Sequence, residues 1–394
     1  MIKSDFLKEQ VAAESARIVE LRRWFHSHPE LGMQEHNTAA KIRAELDALG
    51  IANSTIAETG VVAVIEGAAE SASPEKTVAL RADMDALPVE ELNQVDYKSQ
   101  NSGISHACGH DSHMAALLGA AAVLNRCKDK FSGTVKLFFQ PGEELLAGAK
   151  KIIEEGGLDG VDSIFGLHLM PDIPCGQLSI DYGARMSSAD YFDIDVIGKG
   201  GHGGFPHLAT DPIMITSSIV QNLQSIVSRE VNPQSPAVVS VCKFNAGTKS
   251  NIIPDRATLA GTIRTYDETT RDSTAKSVER IAENIAKAHG GTIEYRYSRG
   301  TAPTVNHSCS VDLAREVAVE LFGENSLADY PPVTGAEDFA LYLQRVPGAF
   351  IFVGCGNEKE GACYPLHSSR YNIDEDALSI AALMHCSYAL KYLE

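Results

Sequence analysis

The spacing of apolar positions changes several times along the chain, and those changes divide it. Residues 5–25 carry apolar side chains at helical intervals, which predicts an amphipathic helix that Pro29 stops. Residues 37–48 predict a second helix, with Asn37 or Thr38 as its cap and Gly50 closing it. Short apolar runs of strand length then occupy 60–65, 77–83, 134–140 and 163–168. The second run ends in Asp83 and Asp85, the third leads into Glu143 and Glu144, and the fourth ends at His168. Open α/β sheets bind ligands at the carboxyl ends of their strands, so these endings predict one shared crevice.

From about residue 184 the pattern is different. Residues 191–197 alternate like a half-buried strand, and Asp211-Pro212 caps and starts a helix. Ile215, Ile219, Leu223 and Ile226 share one face of that helix. Strands at 237–244 and 256–265 follow. Next come a helix with Val278, Ile281, Ala282 and Ile285 on one side, ended by Gly290, and a strand at 292–297. The order βαββαβ is that of a split βαβ, ferredoxin-like module. After residue 300 a helix near 309–322, a strand at 349–353 and a last helix from 375 resume the α/β style. The expected fold is α/β. Residues 1–184 and 299–394 form one domain with a mixed sheet flanked by helices, and 185–298 form an inserted module.

A length of 394 residues agrees with two domains. Hydrophobic content of 44% and charged content of 22% are ordinary for a globular protein. No run approaches the ~18 apolar residues of a membrane span. The N-terminus lacks a signal peptide's apolar core, so a cytoplasmic location is expected. The formal charge of −18 argues against nucleic acid as a partner. Eight cysteines without paired spacing read as reduced thiols.

The densest chemistry lies in His106-Ala-Cys-Gly-His-Asp-Ser-His113. Imidazole and thiolate suit zinc and its neighbours. If this stretch is extended, Cys108 and His110 point to one side. A helix-forming run follows, with Asp111 or Ser112 as its expected cap. Taken alone, such a triplet is more often a core cysteine beside surface histidines. Its neighbours along the chain reverse that judgement.

Those neighbours are Arg23 with His26-Ser-His-Pro-Glu-Leu31, Leu80-Arg-Ala-Asp-Met-Asp-Ala-Leu-Pro88, Gln140-Pro-Gly-Glu-Glu144, Gly200-Gly-His-Gly203, Asn251-Ile-Ile-Pro254, Glu337-Asp-Phe339 and His367. In this order, over nearly the whole chain, they resemble the M20 metallopeptidases. The likeness is to the amidohydrolase branch, which includes hippurate hydrolase, N-acyl-amino-acid amidohydrolases and plant auxin-conjugate hydrolases.

The resemblance implies a metallopeptidase catalytic domain with an inserted lid and dimerisation domain. It implies two divalent metal ions per subunit, held by Cys108, His110, Glu144, His168 and His367. Whether the Cys108 thiolate bridges them is left open, as is the choice among zinc, manganese, cobalt and nickel, with zinc and manganese placed first. Glu143 would be the general base toward metal-activated water. His202 would polarise the scissile carbonyl from a partner subunit, while Asn251 and Arg264 would hold the substrate carboxylate. Asp83 and Asp85 are expected to orient ligands from behind. His113 is expected to be a helix-facing histidine, and His106, His26, His28 and His36 carry no assigned role. The sequence departs from the family pattern at Gly142, where alanine is common, and at the Gly-Gly-Phe205 that follows His202.

The implied activity is hydrolysis of the amide of acetyl-, benzoyl- or indoleacetyl-type amino acids by a homodimer, with no nucleic-acid or membrane partner. A dipeptidase or aminoacyl carboxypeptidase of the same fold is the alternative. A catalytically silent metal-binding protein is a further one, opposed by the presence of Glu143 with the full donor set.

Overall fold

Two compact units divide the chain. One comprises Met1–Gly183, Val305–Pro331 and Asp338–Glu394, the other Ala184–Thr304 and Pro332–Glu337. The computed structural model describes residues 3–70 and 75–394. In chain order the elements begin with α1 (Ser4–Ser27), α2 (His36–Ala48), β1 (Ala52–Ile56), β2 (Gly60–Glu66), β3 (Thr77–Asp83) and α3 (His110–Arg126). Then come β4 (Thr134–Gln140), α4 (Gly148–Glu154), β5 (Ser163–Pro174), β6 (Leu178–Ser179) and β7 (Gly183–Met186). The second unit contains β8 (Asp190–Ile197), β9 (Gly201–His202), α5 (Pro212–Ser225), β10 (Ala237–Ala246) and β11 (Ile252–Ile253). It continues with β12 (Arg256–Thr265), α6 (Glu268–Ala288) and β13 (Thr292–Ser298). After β14 (Thr304–Asn306), the first unit is completed by α7 (Ser308–Phe322), α8 (Ala340–Leu343), β15 (Gly348–Gly356) and α9 (Asp376–Leu393).

The first unit is built on a seven-stranded sheet of order β1-β2-β4-β3-β5-β15-β6. Its centre is parallel: β4, β5 and β15 join through β3–β4, β3–β5 and β5–β15 pairs. The outer pairs β1–β2, β2–β4 and β15–β6 are antiparallel, so the sheet is mixed. Central strands buried on both faces need continuous apolar runs, as β15 has at residues 349–353, whereas β3 is apolar only over residues 78–80 before it buries Arg81 and Asp83. The polar edge strand β1, with Ile56 its only buried residue, lacked that signal and is not predicted by the pattern.

Helix α3 is buried from His110 to Leu124 and has no solvent face. Its Ala- and Leu-rich sequence lets α1, α9 and β3 approach from several sides. Helix α1 packs on both α3 and α9 and buries Leu7, Val11, Ile18, Leu21 and Phe25 at helical spacing. The predicted cap of α2 is not the observed one. Neither Asn37 nor Thr38 caps it; instead Glu30 accepts from Asn37 N at 3.2 Å and Thr38 N at 2.8 Å. A carboxylate at a helix N-terminus is also favoured by the helix dipole.

In the second unit the four-stranded sheet has the order β10-β12-β8-β13 and is antiparallel throughout, the arrangement of the split βαβ module. Asp211 caps α5 by accepting from Ile213 N at 2.8 Å, with Pro212 in the first turn. Ile215, Ile219, Leu223 and Ile226 form the predicted face and join Val278, Ile281 and Ala282 of α6 in one core. Ile285 is only partly buried at its margin.

Candidate functional site

Four segments of the first unit bring donors together. Cys108 is followed by Gly109 in the left-handed region at φ 91°, and His110 is the first residue of α3. The stretch is therefore not extended, and a turn rather than strand alternation brings the two side chains together. Cys108 Sγ lies 3.4 Å from His168 Nε2. His168 sits inside β5, which runs on past the predicted end, and its Nδ1 lies 2.8 Å from the carbonyl oxygen of Leu169. His367 Nε2 is 3.3 Å from Glu144 Oε1. The His367 backbone, strained at φ 64°, is pinned by an N–H donated to Ala107 O at 2.8 Å.

The donor atoms of Cys108, His110 and His168 lie within 4.8 Å of one another. So do those of Cys108, Glu144 and His367, and those of His110, Glu143 and Glu144. These sets suit a divalent ion. His110 presents a buried Nε2 without a hydrogen-bond partner, while its Nδ1 lies 2.8 Å from Asp85 O. Holding one ring nitrogen to a backbone carbonyl and leaving the other free is how proteins orient a metal-binding histidine.

The local electrostatics call for positive charge. Burial, followed by Glu144, Glu143 and Asp83, holds the Cys108 thiol well above its ordinary range. A thiolate here needs a nearby cation to form. Burial and then His113 keep His168 well below the usual imidazole value, so its lone pair is available. Burial opposes charge on His110, but Asp83 and Asp85 prevail and push it up to about 10.

Residues behind the donors form a second layer. Asp85 Oδ1 accepts from Glu143 N at 3.1 Å and Oδ2 from Glu144 N at 3.0 Å. Asp83 faces Arg81 Nη1 at 2.6 Å and His113 Nδ1 at 2.6 Å. His113 is therefore no passive helix-facing residue: its Nε2 accepts from Leu169 N at 3.0 Å, beside His168. With both nitrogens so engaged, it braces β5. Asp111 does not cap α3, as Gly109 holds that position. Its Oδ2 instead meets Arg22 Nε at 3.0 Å and His26 Nδ1 at 2.7 Å, and His26 Nε2 lies 3.1 Å from Glu91 Oε1. Burial and Arg22 disfavour charge on His26, yet the two carboxylates prevail and raise it. A buried arginine costs several kcal/mol unless paired, which explains why acids surround Arg22 and Arg81. His106 is buried with neither ring nitrogen hydrogen-bonded. His28 stacks on Trp24 at 4.4 Å.

The other three predicted residues lie in the second unit. His202, exposed on β9, pairs with Ile252 of β11 and accepts from Gly204 N at 3.0 Å. Asn251, in the turn before β11, accepts through its carbonyl from Gly203 N at 2.9 Å, so it neighbours His202. Arg264, half-buried on β12, donates to Ile263 O at 3.2 Å and lies over the Tyr191 ring at 5.7 Å.

Residues 79–391 match the peptidase family M20/M25/M40. The chain is 42% identical over 389 residues to thermostable carboxypeptidase 2 of Saccharolobus solfataricus, covering 98% of each. It is 38% identical to the N-acetylcysteine deacetylase of Bacillus subtilis, covering 96% of this chain and 97% of that one. A solved Bacillus subtilis structure, YXEP, described as a dinuclear metal binding peptidase of the M20 family, superposes with a TM-score of 0.86. It is 34% identical, over 97% of this chain and 99% of the other. The chain belongs to peptidase family M20/M25/M40 and is a hydrolase of that family.

Proposed function

We propose that this protein hydrolyses the amide bond of N-acyl amino acids, releasing a carboxylic acid and a free amino acid. The observation that carries the reading is a buried Glu143 beside Glu144 at the donor cluster, both held by one carboxylate, Asp85. Cys108, His110, Glu144, His168 and His367 would together hold two divalent ions. When bound, such ions supply Lewis acidity and lower the pKa of water. Zinc or manganese comes first in this reading, and cobalt or nickel suits the same donors. Glu143 takes the proton of the attacking water and returns it to the amine nitrogen as the C–N bond breaks. Asn251 and Arg264 bind the substrate's free carboxylate, a task for which guanidinium geometry is suited. His202 donates to the oxygen on which negative charge develops.

The second unit is read as a lid and dimerisation domain. Strand β10 lies at the edge of its sheet, with Val238 and Phe244 exposed, and an unpaired edge of this kind accepts a second strand. A homodimer formed there is the proposed assembly. No helix among the described residues is long and apolar enough to cross a membrane. The free cysteines fit a reducing compartment, and the cytoplasm is the proposed location.

An aminoacyl carboxypeptidase is a second reading, favoured by the 42% identity to a carboxypeptidase. Metal analysis of the purified protein, with acetyl-, benzoyl- and indoleacetyl-amino acids assayed beside dipeptides, separates the two. The N-acyl substrates should turn over, chelation should abolish the rate, and metal should restore it. Preference for substrates with a free α-amine would favour the carboxypeptidase; no chelator-sensitive turnover on any amide would remove both readings.

Cys108 provides a test that does not depend on substrate. At alkaline pH, where the thiol raised by burial and its carboxylate neighbours can ionise once metal is gone, alkylation should be faster after chelation than in the metal-loaded protein, because a coordinated thiolate is shielded. Equal rates would exclude it as a ligand.

A further inference from the structure

The loop carrying Glu143 leaves β4 after Gln140 and has no strand ladder to hold it. Three successive backbone N–H groups there point to buried carboxylates. Glu143 N and Glu144 N donate to Asp85, and Gly142 N donates to Glu35 Oε1 at 2.8 Å. Glu35 is fully buried, and its Oε2 accepts from Thr59 Oγ1 at 2.5 Å. Its place immediately before α2 suggests a helix cap, yet no N–H of that helix donates to its side chain. Glu30 does the capping instead. One oxygen of the Glu35 carboxylate thus serves the loop, while the other is held by Thr59.

We infer that Glu35 is a positioning residue for Glu143, holding Gly142 so that the chain presents the base in one direction. The inference rests on Glu143 being the general base. Gly142 stands at φ 60°, and a Cβ there would lie 2.8 Å from Met33 Sδ. The glycine at this point is therefore matched to Met33, which lies against one side of the loop while Glu35 pins its N–H. Without the acceptor, the Gly142 N–H is buried and unpaired, and the loop can escape only by turning. A shift of ~1 Å at a reacting group is enough to cost roughly 10²-fold in rate.

The test compares Glu35→Ala, Glu35→Gln and Glu35→Asp in the metal-loaded protein. Glu35→Ala should keep metal content and KM while kcat falls by ~10-fold or more. Hydrogen exchange in the peptide containing Gly142 to Glu144 should quicken. Glu35→Gln retains a carbonyl acceptor and should recover most of kcat. Glu35→Asp, shorter by one methylene, should reproduce the loss and decides the matter if the alanine variant does not fold. Wild-type kcat in both shortened variants, loss of metal in step with activity, or a glutamine variant as slow as alanine would each overturn the inference. Unchanged exchange in Glu35→Ala would sink the Glu35 contact itself, whereas undiminished turnover in Glu143→Gln would sink the base assignment.

Discussion

Glu143→Gln is expected to keep full metal content and to lose ~10²-fold or more in kcat, the scale of a general base removed from its reaction. Glutamine has almost the same shape, and the backbone N–H at this position is held by Asp85, so the loop should stay in place. Glu144 keeps its own bond to Asp85 and its approach to His367. What disappears is one proton acceptor. KM should move little, because a base acts on the transition state and not on ground-state binding. Near-wild-type turnover with both metal positions filled would remove Glu143 from that role.

The second large effect is expected at His202. His202→Ala should lower kcat with little change in KM, as loss of one donor to a developing oxyanion costs ~3 kcal/mol in a water-excluded site. His202 belongs to the unit Ala184–Thr304, whereas Cys108, His110, Glu144, His168 and His367 all belong to the other unit. In the proposed homodimer the histidine would serve the neighbouring subunit. Mixing inactive Glu143→Gln with inactive His202→Ala should then restore activity, since one site of each heterodimer has both residues intact. The recovered rate should approach about half of wild type per heterodimer. Native mass spectrometry must show that subunits exchange. Heterodimers without activity would mean that His202 serves its own subunit or has no catalytic part.

Much of the fold was legible because burial imposes a period on the sequence. The face Ile215, Ile219, Leu223 and Ile226 could be read directly, and so could the Asp211-Pro212 start of α5. Both are local: a cap lies within a few residues of the groups it serves, and a helical face repeats every turn. The cap of α2 failed for the same reason turned round. Two good local candidates, Asn37 and Thr38, were outcompeted by Glu30, which reaches forward from six residues before the helix. Strand β1 failed because an edge strand buries almost nothing and leaves no pattern.

The sequence by itself determined the α/β class, the inserted βαββαβ module and the residue types able to ligate a metal, since each depends on composition or on short-range spacing. Only the tertiary structure decided how those side chains are used. Cys108 and His110 meet through a left-handed Gly109 that no alternation rule describes. His113 looked like a helix-packing residue until β5 brought Leu169 to its ring, and His26 had no role until Asp111 and Glu91 closed on it. Glu35 is the clearest instance. Its partner Gly142 lies 107 residues further along the chain, and a hydrogen bond acts over about 3 Å of space whatever the separation in sequence.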